Sequence, residues 1–259
     1  MKALITGATS GIGMCMARQL SRMNWELILS GRNEKVLTEL KNELGRTEII
    51  TADLSDRNEV FKVYDFCRDK NVDMLVNNAG YGIFGRFDET DLDDELDMLG
   101  VNIYAAHILT KLFLRDFKKR DSGIILNVAS VAGFMTGPLL SSYYASKNYI
   151  LRLSLAIYEE LRRERSNVKI TVFCPGPVDT NFNNRAGVSF SAKPITAEYA
   201  AEYALKKAFS GKLFAIPGLT AKAAAVGQRF VPNKLLSAIT YNIQKAKKCD
   251  GRNGRILKK

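Results

Sequence analysis

The sequence predicts an α/β protein: a single doubly wound domain with a mostly parallel, seven-stranded sheet and helices on both faces. Three observations predict it. Short apolar runs alternate with helix-length amphipathic segments, the order that lays crossover helices over a parallel sheet. The runs are apolar along their length, as strands covered on both faces are. The first of them enters a glycine-rich turn, Gly7-Ala8-Thr9-Ser10-Gly11-Ile12-Gly13, and a helical segment leaves it.

The strand runs, each bounded by turn residues, are residues 3–6, 26–30, 48–52, 74–77, 124–128 and 169–173, with a shorter one at 213–216. The amphipathic segments between them are 14–23, 34–44, 57–70, 92–119, 142–163 and 197–209. No linker or low-complexity tract interrupts them. Residues 1–218 read as the α/β body and 219–259 as a basic helical extension of the same domain. The chain has 259 residues, enough for a substantial core. No apolar run approaches the roughly 20 residues of a membrane span, and Met1-Lys2 lead straight into the first strand without a signal sequence. Cys15, Cys67, Cys174 and Cys249 form no C-x-x-C pair, so reduced thiols and a cytoplasmic setting are expected. His107 is the only histidine, which leaves little for a metal site, and none is expected.

Net charge is +11, and +9 of it lies between Lys222 and Lys259, where ten Lys or Arg face one acid, Asp250.

Ligands of such sheets sit at the carboxyl ends of the strands, where the strand order reverses, so the informative residues should follow strands. In the first turn Gly7 allows a sharp exit, Gly11 lets backbone approach a pyrophosphate, and Gly13 lets the helix lie close on the sheet; the free N–H groups then face the anion. After the second strand come Gly31 and Arg32, with no acid for ribose hydroxyls. A guanidinium there suits a 2′-phosphate, which favours NADP over NAD. Asp53-Leu54 follows the third strand, placed for the adenine edge. Asn77-Asn78-Ala79-Gly80 follows the fourth. The fifth ends at Ser130, thirteen residues before Tyr143, and Tyr143 and Lys147 share one helix face. Asn102 lies inside a predicted helix, where Asn is a mediocre residue; ordering a water or filling a buried packing position would each account for it.

With these residues together, the sequence resembles the short-chain dehydrogenase/reductase family over about residues 1–216. Thr6-Gly7-Ala8-Thr9-Ser10-Gly11-Ile12-Gly13 is similar to its T-G-x-x-x-G-I-G cofactor loop, Asn77-Asn78-Ala79-Gly80 to its N-N-A-G, and Pro175-Gly176-Pro177-Val178-Asp179-Thr180 to its P-G-x-V-x-T segment. The resemblance implies a Rossmann-type domain that binds NADP(H) through Gly7, Thr9, Ser10, Gly11, Ile12, Gly13, Arg32, Asp53, Leu54, Asn78, Ala79, Gly80, Tyr143, Lys147, Pro175, Gly176, Val178 and Thr180. It implies a catalytic tetrad of Asn102, Ser130, Tyr143 and Lys147. Tyr143 would be the proton donor, its pKa of about 10 lowered by Lys147 together with the positive nicotinamide of the oxidised cofactor; Ser130 would hold the substrate oxygen; Asn102 would hold a water. The expected reaction is hydride transfer between NADPH and a carbonyl or secondary alcohol.

Met135, Leu139, Phe182 and Phe190 suggest an apolar substrate, with residues 181–194 as a closing segment. A homodimer or homotetramer is expected through the helices at 92–119 and 142–163, with Ile150, Leu153 and Ile157 either in that contact or facing the sheet. A non-catalytic NADP-binding role and a lipid-surface role are the competing readings. For the extension, Val226, Phe230, Leu235, Leu236, Ile239 and Ile243 recur at helical spacing around a break at Pro232. They could pack on the body or lie weakly on an anionic membrane. No aromatic platform accompanies the charge, so nucleic acid is not expected.

Overall fold

Each run expected to be a strand is one. The computed structural model describes residues 1–180 and 194–246. In chain order the strands are β1 (Lys2–Thr6), β2 (Glu26–Gly31), β3 (Thr47–Thr51), β4 (Met74–Asn77), β5 (Ile124–Val128), β6 (Lys169–Phe173), β7 (Val178–Asp179), β8 (Ile195–Thr196) and β9 (Phe214–Ala215). Seven form one parallel sheet in the order β3-β2-β1-β4-β5-β6-β9, while β7 and β8 pair separately. The sequence pattern did not show that two-residue pair.

The helices are α1 (Gly11–Arg22), α2 (Glu34–Leu44), α3 (Arg57–Cys67), α4 (Leu92–Leu99), α5 (Ala106–Lys119), α6 (Ser141–Arg163), α7 (Ala197–Phe209), α8 (Leu219–Gly227) and α9 (Asn233–Lys245). Successive strand residues point to opposite faces. Ala3 and Ile5 of β1 therefore join Met16, Leu20 and Ala204 under α1 and α7, while Leu4 joins Val63, Phe113 and Ile157 under α3, α5 and α6. Both faces being covered is why the runs are apolar without alternation.

Helix α1 starts three residues earlier than its apolar periodicity, because Gly11 and Gly13 contribute no side chain to a pattern. Gly13 is needed where it stands: a Cβ there would lie 2.4 Å from the Gly7 carbonyl oxygen. The helix expected over 92–119 is interrupted by a π-helical turn, Gly100–Ala105. A widened turn shifts the register of one face by a residue, which a 3.6-residue pattern does not resolve.

Burial decides between the alternatives at two places. Ile150 and Ile157 are buried in the single chain and Leu153 packs beside Ile157, so these residues take the sheet-facing alternative. In the extension, α8 and α9 flank the expected break, but only Leu236 of the apolar stripe packs on the body. Val226, Phe230, Leu235, Ile239 and Ile243 are exposed. The face of α9 that packs is instead Leu236, Thr240 and Gln244, one turn apart. Lys247, Lys248, Cys249 and the rest of the basic tail lie outside the described residues. The described cysteines, Cys15, Cys67 and Cys174, are free thiols.

Candidate active site

Strand order reverses at β1, where the chain goes to β2 on one side and β4 on the other, and a crevice opens past the ends of both strands. The glycine-rich turn is fixed across it. Asn78 donates through Nδ2 to the carbonyls of Thr6 (3.0 Å) and Gly7 (3.1 Å). The Thr6 hydroxyl accepts from the N–H groups of Asn78 and Ala79, both at 3.1 Å. Thus the segment after β4 clamps the segment after β1. At its start α1 has no acid in the first turn and no side-chain cap from Ser10, which leaves N–H groups directed at the crevice for an anion.

A cleft of about 580 Å³ runs from Arg32 to Tyr144. Every candidate cofactor or tetrad residue lines it except Gly13, which lies beneath the turn, and Asn102. Arg32 is half exposed, and its guanidinium lies 3.6 Å from the Asp53 carboxylate. Burial works to raise the Asp53 pKa, but hydrogen bonds from the Ser55 N–H (3.0 Å) and hydroxyl (2.9 Å), with the Arg32 charge, bring it below the usual range.

At the other end Ser130 caps a short 3₁₀ turn. Its Oγ accepts from the Ala132 N–H at 3.2 Å and donates to the Pro175 carbonyl at 3.4 Å. The same hydroxyl hydrogen-bonds the Tyr143 phenol. Lys147, one turn along α6, donates to the Val128 carbonyl at 3.0 Å and lies 5.9 Å from the centre of the Tyr143 ring. The lowering is expected from Lys147 together with the oxidised cofactor; in the chain alone burial governs the phenol. Burial pushes the Tyr143 pKa well up, and the bond to Ser130 only partly opposes it. Burial also brings the Lys147 ammonium down from 10.5 to about 8, with no carboxylate among the causes.

Asn102 sits in the π turn, buried. Its Nδ2 donates to the Tyr81 carbonyl (2.9 Å) and to Ser146 Oγ (3.0 Å), and its Oδ1 accepts from the Tyr81 N–H (3.1 Å). The amide is thus spent on holding the chain after β4; what remains for a water is the second lone pair of Oδ1. That oxygen and the Lys147 ammonium both crowd Gly80, where an added Cβ would lie 2.9 Å and 3.0 Å from them.

The apolar wall departs from expectation. Met135 and Leu139 do not line the cleft, whereas Ala132, Leu140, Tyr144 and Ile243 do. Phe182, Phe190 and the closing segment lie outside the described residues, apart from Pro194. Tyr144, a bystander in the sequence, accepts a hydrogen bond from Gln244 Nε2 and so ties α9 to the site. Gln244 is one hundred residues away, and its i, i+4 spacing to Thr240 and Leu236 was the available signal. Also unseen was a buried polar network beneath the site: Asn77 Nδ2 donates to Asn127 Oδ1 and Thr110 Oγ1, both at 2.9 Å, and Asn127 Nδ2 donates to Ser154 Oγ at 3.0 Å. It joins β4, β5, α5 and α6, which carry the site.

Comparison with known proteins gives the family and the fold. A profile of the short chain dehydrogenase family matches residues 1–188. The chain belongs to that family. It is 32% identical over 200 residues to dehydrogenase/reductase SDR family member 7B of Mus musculus, covering 71% of this chain and 59% of the relative. It is 30% identical over 207 residues to a very-long-chain 3-oxoacyl-CoA reductase of Anas platyrhynchos, covering 76% of this chain and 65% of the relative. Among solved structures, a short-chain dehydrogenase from Sphingobium yanoikuyae in complex with NADPH superposes with a TM-score of 0.81 at 28% identity, over 88% of this chain and 93% of its own. This short-chain dehydrogenase is accordingly an oxidoreductase on a parallel Rossmann-type sheet.

Proposed function

We propose that this protein is an NADPH-preferring reductase of an apolar carbonyl compound. The observation that carries the reading is the Ser130–Tyr143 hydrogen bond with Lys147 buried beside it, at the end of a cleft that also contains Arg32. The cleft fits the cofactor: the uncapped, acid-free start of α1 suits a pyrophosphate, and half-exposed Arg32 is placed to turn from Asp53 to a 2′-phosphate. Bound NADPH supplies a hydride. The chain does the rest. Ser130 Oγ donates to the carbonyl oxygen as negative charge gathers on it. Tyr143 Oη gives that oxygen its proton. Burial keeps the phenol protonated in the chain without cofactor, the form in which Tyr143 acts as an acid. Lys147 then returns a proton toward Tyr143, with Asn102 Oδ1 across Gly80 available to hold a water. Ala132, Leu140 and Ile243 favour an apolar substituent on the substrate, and the oxoacyl-CoA reductase relative supports a carbonyl on an apolar chain. Following NADPH absorbance against a panel of apolar ketones and aldehydes tests the reading; no turnover of any of them would refute it.

NADPH should bind at least tenfold tighter than NADH, since a charge-assisted phosphate contact contributes on the order of 1.5–3 kcal/mol. Arg32→Ala should erase that preference, and equal wild-type affinities would overturn it. An acid at position 31 is the less clean test, because a Cβ on Gly31 would lie 2.7 Å from Thr9 Cγ2.

The protein is also read as cytoplasmic and homo-oligomeric. No described helix is long and apolar enough to cross a membrane. With Ile150 and Ile157 turned inward, the residues proposed for the subunit contact are the exposed Leu96, Tyr104 and Tyr149. Light scattering at micromolar protein should give a dimer or tetramer, and a monomer mass would remove this assignment.

A further inference from the structure

The extension leaves an apolar surface uncovered. Leu219, Val226, Phe230, Leu235, Ile239 and Ile243 are all exposed, Leu219 at 83% and Phe230 at 82%. On α9, Leu235, Ile239 and Ile243 form a row one turn apart. The packed row Leu236, Thr240 and Gln244 borders it on one side. Around the other side of the helix stand Tyr241, Lys234 and Lys245, also exposed. An exposed apolar row of this kind, with further exposed apolar groups on the preceding helix, marks a place of interaction.

The charge around it decides what covers it. Between Leu219 and Ala246 the chain carries four Lys or Arg and no acid; Arg86, which lies near Tyr241, is paired with Asp88 and Glu89. Lys222, Arg229, Lys234 and Lys245 stand exposed among the apolar residues. A second copy meeting this face about a twofold axis would bring the same cations together. An anionic bilayer complements both components at once: apolar side chains enter the acyl boundary while lysine and arginine heads stay with lipid phosphates. We propose that the α8–α9 face docks this protein on an anionic lipid surface.

Its position gives the docking a use. Ile243 belongs both to the exposed row and to the cleft lining, and the next residue, Gln244, bonds Tyr144 inside. The mouth of the cleft therefore opens beside the lipid-facing row. An apolar carbonyl compound dissolved in the bilayer reaches Tyr143 from there without crossing water. This second step rests on the reductase reading, whereas docking does not.

The test is cosedimentation of the full chain with vesicles of phosphatidylcholine, alone or with about 30 mol % phosphatidylglycerol. Binding is expected to the anionic vesicles at low salt and to be released as salt rises. Phe230→Ser with Ile239→Ser removes exposed apolar groups outside the cleft. It should cut partitioning by at least about fivefold, while leaving oligomer mass and NADPH oxidation with a water-soluble ketone unchanged. Absence of binding at low salt, or undiminished binding of the double variant, would overturn the proposal. So would a smaller oligomer in that variant, which would mean that a second copy covers the face. Anionic vesicles should also raise turnover of 2-tridecanone by the wild type more than by the variant; binding without that rise would overturn the entry route alone. Because sedimentation is read without turnover, its failure is separable from failure of the reductase reading.

Discussion

Tyr143→Phe is expected to leave the fold and cofactor affinity intact and to lower carbonyl reduction by about 10²–10⁴-fold, the range of a positioned proton donor. The ring stays: it packs with Met98, Ala132 and Leu140, and phenylalanine fills the same space. The partner left behind is not orphaned, because Ser130 Oγ keeps the Ala132 N–H and the Pro175 carbonyl. Only the acid is lost. Ser130→Ala should cost turnover too, and the double variant should be little worse than Tyr143→Phe alone, since the two hydroxyls act on one oxygen as a unit. Cofactor fluorescence titration and single-substrate kinetics of the three variants measure this. Near wild-type turnover in Tyr143→Phe would remove Tyr143 as the donor.

Lys147→Met should abolish most turnover and yet stabilise the protein at pH 7. The ammonium is buried with a carbonyl for company, and its pKa falls from 10.5 to about 8. That depression corresponds to a cost of about 3 kcal/mol. Methionine fills the volume without the charge, less about 1 kcal/mol for the lost bond to the Val128 carbonyl. The sign with pH follows from proton binding. At pH 7 both folded and unfolded chains hold the proton, so the cost is present in full. Between about pH 8 and 10.5 the unfolded chain binds more protons, so wild-type stability rises with pH. The advantage of Lys147→Met therefore shrinks across that window, which denaturant melts at pH 7 and pH 10 would show. If Lys147 supplies protons to Tyr143, wild-type reduction also declines above about pH 8. A variant less stable than wild type at pH 7 would contradict the burial argument, and a flat pH–rate profile from 7 to 9 would contradict the proton supply.

The sequence by itself determined the sheet and the residues that meet at its switch point. Runs such as residues 124–128, apolar but for Asn127, lack the alternation of half-exposed strands, and their shortness and flanking turn residues separate them from helices. The glycine turn was equally legible, because at Gly13 the adjoining Gly7 carbonyl leaves no room for a Cβ, and that demand is written in the residue itself. Tyr143 with Lys147 on one helix face and Ser130 at a strand end are local placements; their expected catalytic roles come from the family resemblance.

What only the tertiary structure decided is what stands opposite each face. Periodicity shows that Ile150, Ile157, Leu235 and Ile239 lie on apolar stripes, but the same stripe serves a core, a subunit contact or a bilayer. The fold buries the first pair against the sheet and leaves the second pair exposed. Gln244 reaches Tyr144 across one hundred residues, and Asn77, Thr110, Asn127 and Ser154 meet from four elements. Such polar contacts have no period, because they depend on distances set by the packing of whole helices on the sheet. The raised pKa of Tyr143 and the lowered one of Lys147 have the same origin: desolvation belongs to the enclosing structure and not to the residue.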